Sequence, residues 1–245
     1  MEKSKHGFCE PLDIIPTGGY GETVSQEINP ANDRRHESKT RILDAALRVI
    51  RAKGYSATRI EDVCEEAGLT KGSFFHHFKT KEELAVAAAD YWSETTSAFF
   101  AASAYRSIED PLQALLAYID LRKDLIRGGL PDFSCLVGTM VQETFATHPI
   151  IRDACGRSIN GHAATLVPMI EAARRQYGVE GAWTAESLAQ YTQAAIQGAF
   201  VLAKAENDLS RAADTLDHLR RYVELLFRSG SGQPAAGQPV LREIL

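Results

Sequence analysis

Between Thr58 and Leu84 the chain reads TRIEDVCEEAGLTKGSFFHHFKTKEEL, and the punctuation of this segment leaves few folds open. Ile60, Val63, Cys64 and Ala67 fall at i, i+3, i+4 and i+7, one buried helix face. Thr58 is expected to cap that helix, with Glu61 as its capping-box partner. Gly68 ends it, because glycine takes the left-handed conformation after a helix cheaply. Leu69 plugs the corner and Thr70 caps a second short helix from Lys71. Two short helices across a tight glycine corner make a helix-turn-helix, and a preceding helix, Glu37 to Lys53, is expected to pack across both. On the second helix Phe74 and Phe78 share the core face, so Phe75, His76 and Lys79 point outward. Its N-terminus, with Thr70, Lys71, Gly72 and Ser73, offers free backbone N–H groups and a positive dipole end, a natural anion site.

The residues alone leave other readings open. FFHHF could be ordinary packing, and Lys71, Lys79 and Lys81 a solvated face. No metal is expected: adjacent His76 and His77 diverge by about 100° on a helix, and no HExxH or carboxylate–His spacing occurs. Charge favours an anionic partner. Residues 34–84 hold 11 Lys+Arg and 8 Asp+Glu, a net of +3 in a chain of net −5, so the rest carries −8. A locally basic segment on an acidic chain points to a local polyanion.

The longer stretch KTRILDAALRVIRAKGYSATRIEDVCEEAGLTKGSFFHHFKTKEEL resembles the DNA-binding domain of the tetracycline-repressor (TetR) family, over roughly residues 38 to 84. The combination T-R-x-x-I-L-x-A-A, G-Y/F and A-G-L/V-x-K-G-S-x-x-x-H-F-x-x-K-E-E-L carries the resemblance. It implies Thr40 and Arg41 in the first helix, a recognition helix from Lys71 to His77, and phosphate contacts at Thr58, Lys71, His77 and Lys81. One position departs: the family often has tyrosine where this chain has Phe75, which can pack on a sugar or thymine methyl but cannot donate a hydrogen bond. Base reading is expected from Thr70, Lys71, Ser73, Phe75 and His76, and phosphate anchoring from Thr40, Thr58, His77, Lys79 and Lys81. Arg41 and Gly72 complete the DNA-facing set.

Elsewhere the pattern is helical throughout. Apolar residues recur at helical spacing from Ile42 to Ile50, Leu84 to Phe99, Leu112 to Ile119 and Leu209 to Leu226. No alternating strand is evident, and Pro168 should kink or split its helix. The expectation is an all-α fold of about nine helices. Residues 1–33 form a Gly-, Pro- and acid-rich extension read as disordered, 34–84 the helix-turn-helix domain, 85–229 a larger helical domain, and 230–245 a flexible tail. The chain has no apolar run near eighteen residues and no basic-then-apolar leader. Its four cysteines, Cys9, Cys64, Cys135 and Cys155, are far apart without a CxxC pair. A cytoplasmic, reduced protein without membrane contact or cofactor is expected. An enzyme using His148 or Cys135 has no catalytic spacing to support it; a protein-interaction module built on the acidic helices is the other rival.

For the larger domain the resemblance implies dimerisation and effector sensing, hence a homodimeric regulator, more a repressor than an activator, released from double-stranded operator DNA by a small molecule. Tyr191, Ala195, Gly198, Ala199 and Leu202, paired with Leu219, Val223 and Leu226, could form a two-fold four-helix interface, or simply an intramolecular core. Candidate pocket residues are Trp92, Phe99, Tyr118, Phe133, Cys135, Met140, Phe145 and His148, each of which reads more readily as core. The segment FSCLVGTMVQETFATHP resembles a G-C-L-x-G segment at the family's sixth helix, with Ser134 in place of glycine. Cys135 could be a reactive thiol at a helix start or a small buried residue.

Overall fold

The computed structural model describes residues 30–228, with side chains from residue 35 onward. The helices are α1 (Pro30–Ala57), α2 (Ile60–Ala67), α3 (Lys71–His77), α4 (Lys81–Ala102), α5 (Pro111–Asp124), α6 (Leu130–Phe133), α7 (Leu136–Thr144), α8 (Pro149–Ala164), α9 (Val167–Tyr177), α10 (Ala185–Glu206) and α11 (Ser210–Arg228), with a 3-10 turn at Ala104–Ser107. The described residues contain no strand. The all-helical expectation holds, with eleven helices among the described residues where about nine were expected; the one-turn α6 carried too little periodicity to be read as a helix. The sequence reading of the segments 1–29 and 229–245 concerns residues outside the described ones. Helix α1 starts at Pro30, upstream of the expected Glu37 and within the segment read as an extension.

Local chemistry accounts for most boundaries. The Thr70, Thr80 and Asp110 side chains accept from the backbone N–H groups of Ser73, Glu83 and Gln113 at 3.2, 3.0 and 2.9 Å, each satisfying a donor that the first helical turn leaves open. Pro111, Pro149 and Pro168 sit in first turns, where a missing N–H costs nothing. Pro168 thus splits the helix, as expected. Gly68 closes α2 at φ 61°. Gly54, at φ 83°, breaks α1 internally and turns the chain toward α2.

Two apolar cores result. The first joins α1–α3 and the start of α4 to Leu136, Val137 and Met140 of α7 and Ile151, Ala154 and Cys155 of α8. The second gathers α5, α9, α10 and α11 with Phe100 from the far end of α4. The first core therefore does not stop at residue 84: α1 packs against α7. Helix α4 enters both cores, with Leu84, Ala85, Ala88 and Ala89 in one and Phe100 in the other.

Candidate nucleic-acid interface and internal cavity

Helix α3 is held by its two core phenylalanines. Phe74 and Phe78 are buried and their rings lie 5.8 Å apart. The opposite side presents Lys71, Gly72, Phe75 and His76, all exposed; Phe75 is 53% exposed, unusual for a phenylalanine. A Cβ on Gly72 would meet only Thr70 Oγ1, at 3.6 Å, so internal packing does not demand glycine there. Lys71 Nζ reaches Glu61 Oε1 at 2.5 Å, with both side chains about half exposed; such a pair is weak in water and easily exchanged for another anion. Ser73 is half-buried and Lys79 exposed. His77 is half-buried and its Nε2 meets Ser38 Oγ at 2.7 Å. Burial, then the neighbouring His76, Arg35 and Lys39 charges, pushes its pKa down. Thr40 is half-buried and donates to the His36 carbonyl at 3.1 Å.

Three expected DNA contacts are engaged elsewhere. Thr58 is buried, and its hydroxyl donates to the Gly54 carbonyl at 2.6 Å. The break at Gly54 turns it inward, so it neither caps α2 nor faces solvent. The cap is Arg59, whose backbone N–H donates to Asp62 Oδ2 at 2.9 Å; the capping carboxylate is Asp62, not Glu61. Arg41 donates to the Ala67 carbonyl at 2.7 Å and the Gly68 carbonyl at 3.4 Å, closing the C-terminal end of α2. Lys81 donates to the carbonyls of Tyr55 at 3.0 Å and Thr58 at 2.9 Å, with Ser56 at 3.4 Å. Its ammonium lies 4.3 Å from the centre of the Tyr55 ring. Three donors meeting three carbonyls leave none for a phosphate.

In the larger block, residues of α4, α5, α6, α7, α8 and α10 line a cavity of about 80 Å³. Of the expected pocket residues, Trp92, Phe99, Phe133 and Cys135 line it. The other four do not. Tyr118 is buried behind the wall, its hydroxyl bonded to His162 and Gln193. Met140 belongs to the first core. Phe145 is 61% exposed on the outside. His148 stacks edge-on against Tyr55, 5.3 Å between centres. Helical periodicity could not separate these, because it reports that a residue is inside, not against which neighbour. The reading also missed Arg122, His162, Gln193 and Gln197, polar lining residues on otherwise apolar faces; a polar residue breaking an apolar stripe was the available signal. Cys135 is half-buried and caps α7, its Sγ accepting from Gly138 N at 3.4 Å. Ser134 is fully buried and its hydroxyl has no hydrogen-bond partner.

The cavity wall is tied to the reading head. Arg51 of α1 lies 5.4 Å from the Trp92 ring centre and donates to the Asp132 carbonyl at 2.9 Å. Glu143 of α7 accepts from Tyr55 N at 3.1 Å and Ser56 N at 2.7 Å, the backbone donors released by the break at Gly54. Trp92, Asp132 and Cys135 line the cavity, and Cys135 begins the helix that carries Glu143.

On the outer side of α10, Tyr191, Ala194, Gly198, Val201 and Leu202 are exposed along one stripe. Tyr222 of α11 adjoins it, its ring 5.1 Å from that of Tyr191. Of the expected interface residues, Tyr191, Gly198 and Leu202 are thus outside, and Ala195 and Leu226 are half-buried. Ala199, Leu219 and Val223 are buried where α10 packs on α11 within the same chain. The strongest apolar stripe of α11 went to this intramolecular contact, leaving the adjacent face outward.

Residues 42–88 match the family described as bacterial regulatory proteins, tetR family. Residues 111–217 match the LmrA/YxaF-like transcriptional regulator C-terminal domain. Among curated proteins, the chain is 30% identical over 122 residues to the uncharacterized regulator YxaF of Bacillus subtilis, covering 49% of this chain and 63% of that one. It is 34% identical over 100 residues to the regulator CymR of Pseudomonas putida, covering 41% and 43%. The chain thus spans less than two thirds of either relative. Among solved structures, a TetR-family regulator from Agrobacterium tumefaciens superposes with a TM-score of 0.69 at 21% identity, covering 77% of this chain and 98% of that one. One from Chloroflexus aurantiacus gives 0.68 at 24%, covering 78% and 96%. At these identities the structures speak for the fold, with its N-terminal helix-turn-helix and C-terminal helical block. The two family matches, together spanning the helix-turn-helix and the larger block, place the sequence itself: the chain belongs to the TetR family of bacterial transcriptional regulators.

Proposed function

We propose that the protein is a homodimeric repressor that reads a pseudo-palindromic operator through α3 and leaves it when a small molecule fills the internal cavity. The observation that carries this reading is the exposed side of α3. A capped helix, pinned by Phe74 and Phe78, holds an exposed lysine, glycine, phenylalanine and histidine outward. Base reading falls to Thr70, Lys71, Ser73, Phe75 and His76, with Gly72 allowing close backbone approach. Phosphate anchoring falls to Thr40, His77 and Lys79, while Arg41, Thr58 and Lys81 support the head from behind. Residues 34–84 act as the reading head and 85–229 as the sensing and pairing body.

The exposed α10 stripe supports pairing. Small residues at Ala194 and Gly198 allow close approach, and Tyr191, Leu202 and Tyr222 supply apolar area. Two copies paired there would present two α3 helices to successive major grooves about 34 Å apart. A ligand shifts this arrangement only by favouring one head spacing over another. The path is short: cavity wall, α7, Glu143, and the α1 turn that leads into α2 and is held by Lys81 at the start of α4.

The test is selection of bound sequences from random duplex DNA at stated salt, with the protein's mass in solution measured alongside. A dimer that enriches a two-fold-related site supports the reading. Salt-sensitive binding without enrichment, the behaviour of a non-specific polyanion contact, sinks it.

A further inference from the structure

The cavity combines two features that a packed core does not need. Its walls are rich in aromatic rings: Phe99 meets Phe100 edge-on at 5.1 Å, and Phe133 meets Phe200 edge-on at 5.5 Å. With Trp92 beside them, these rings can receive another ring by offset stacking or edge contact. An apolar cavity of roughly 150 Å³ encloses one benzene, so about 80 Å³ here holds only part of a ring, and a one-ring guest keeps the remainder in the mouth.

The second feature is a pair of donors without acceptors. Arg122 of α5 makes no hydrogen bond or ion pair with the described residues; its guanidinium lies 5.2 Å from the Phe100 ring centre and 6.0 Å from that of Phe200. The other donor follows from a chain of hydrogen bonds. Gln193 Nε2 donates to Tyr118 Oη at 3.0 Å, so the Tyr118 hydroxyl proton goes to His162 Nε2 at 2.9 Å; the direction follows from the assigned amide orientation. Burial first, then the Arg122 and Arg106 charges, holds the imidazole neutral, its pKa pushed down to about 3. With Tyr118 as donor to Nε2, the single proton of the ring sits on Nδ1, and no described residue accepts from that nitrogen. Asp132, the acidic residue of the wall, accepts from Gly129 N at 2.6 Å and forms no ion pair with Arg122. Both side chains are only partly buried, so water is their alternative partner, and a carboxylate that displaces it gains a charge-assisted pair.

We infer that the cavity takes a one-ring aromatic carboxylate, its ring among the phenylalanines and Trp92, its carboxylate on Arg122 with His162 as second donor. This rests on the proposed effector-responsive regulator and names the chemical class of its effector. Arg122 supplies a planar fork that matches a carboxylate in two-point geometry.

The full-length protein, without DNA, is titrated with benzoate and 4-methylbenzoate, and with benzamide and toluene as neutral counterparts. Tryptophan fluorescence, sensitive to Trp92, and calorimetry read the binding. The expected result is saturable binding of the carboxylates, with benzamide and toluene weaker by about tenfold or more. Arg122→Gln removes that preference and Arg122→Lys keeps part of it, with circular dichroism reporting the fold. Should Arg122→Gln not fold, the benzoate–benzamide comparison on the unaltered protein decides. Equal affinity for benzoate and benzamide overturns the inference, as does unchanged affinity in Arg122→Gln or no saturable carboxylate binding into the millimolar range. With DNA absent, such a failure leaves the operator reading standing, and a failed operator selection leaves the carboxylate result readable.

Discussion

Replacing Lys81 by methionine separates two roles that one lysine could play. In the structure its ammonium donates to the Tyr55 and Thr58 carbonyls at 3.0 and 2.9 Å, more weakly to Ser56, and lies over the Tyr55 ring. Burial pushes its pKa down from the ordinary value, with Glu143 opposing; the group is committed inward. Methionine keeps the stem and removes the charge. Each good charged hydrogen bond is worth roughly 1.5–3 kcal/mol. Lys81 is only partly buried, so water repairs part of the loss. A net destabilisation of about 2 kcal/mol is expected, read as a lower urea midpoint with unchanged slope. Binding to DNA at constant folded fraction should keep its salt dependence. A phosphate contact predicts the reverse: unchanged stability, and a salt slope smaller by about one. That second pattern would refute the clamp.

Three further outcomes are expected. His162 takes a proton in the unfolded chain near its ordinary 6.5 but in the folded state only at about 3. Between those values the unfolded state binds more protons, so stability falls as pH drops, by roughly 2 kcal/mol at pH 5. Urea unfolding at pH 7.5 and 5 should show that loss in the parent and not in His162→Gln; equal losses in both would discredit the buried neutral imidazole. A Cβ on Gly138 would overlap the Gln197 amide, so Gly138→Ala should cost about 1 kcal/mol, and Gln197→Ala in the same chain should recover most of it. Additive losses in that double-mutant cycle would disprove the contact. Leu202, 49% exposed on the α10 stripe, should when changed to Glu yield monomers of unaltered helix content by light scattering; a persisting dimer would place the interface elsewhere.

How much of the site could be read in advance follows from the range over which each interaction acts. The Thr70 cap, the Gly68 corner, the Phe74–Phe78 face and the break at Pro168 involve partners within about one helical turn, so residue order alone sets them. The same holds for the outward side of α3. Arg41 and Lys81 were legible as polar residues of the head, but not as its internal clamps, because their acceptors are distant carbonyls that only folding brings near; Thr58 bonds the Gly54 carbonyl four residues back, and what hid that contact was the helix break at Gly54. Expected lining residues Met140 and Tyr118 are as apolar and periodic as Trp92 and Phe133; which of them meets empty space depends on six helices at once.

The sequence by itself therefore determined an all-helical chain, the helix-turn-helix with its exposed reading face, and the family. Periodicity, caps and glycine positions encode local geometry redundantly. Tertiary structure alone decided that α7 and α8 share a core with the reading head, that Glu143 closes the α1 turn, that Arg122 and His162 face one cavity, and that α11 spends its best apolar face on α10. These are choices among partners far apart in the chain. Each is settled by which helices can pack together without leaving a void or an unpaired buried group, a condition that no single helix contains.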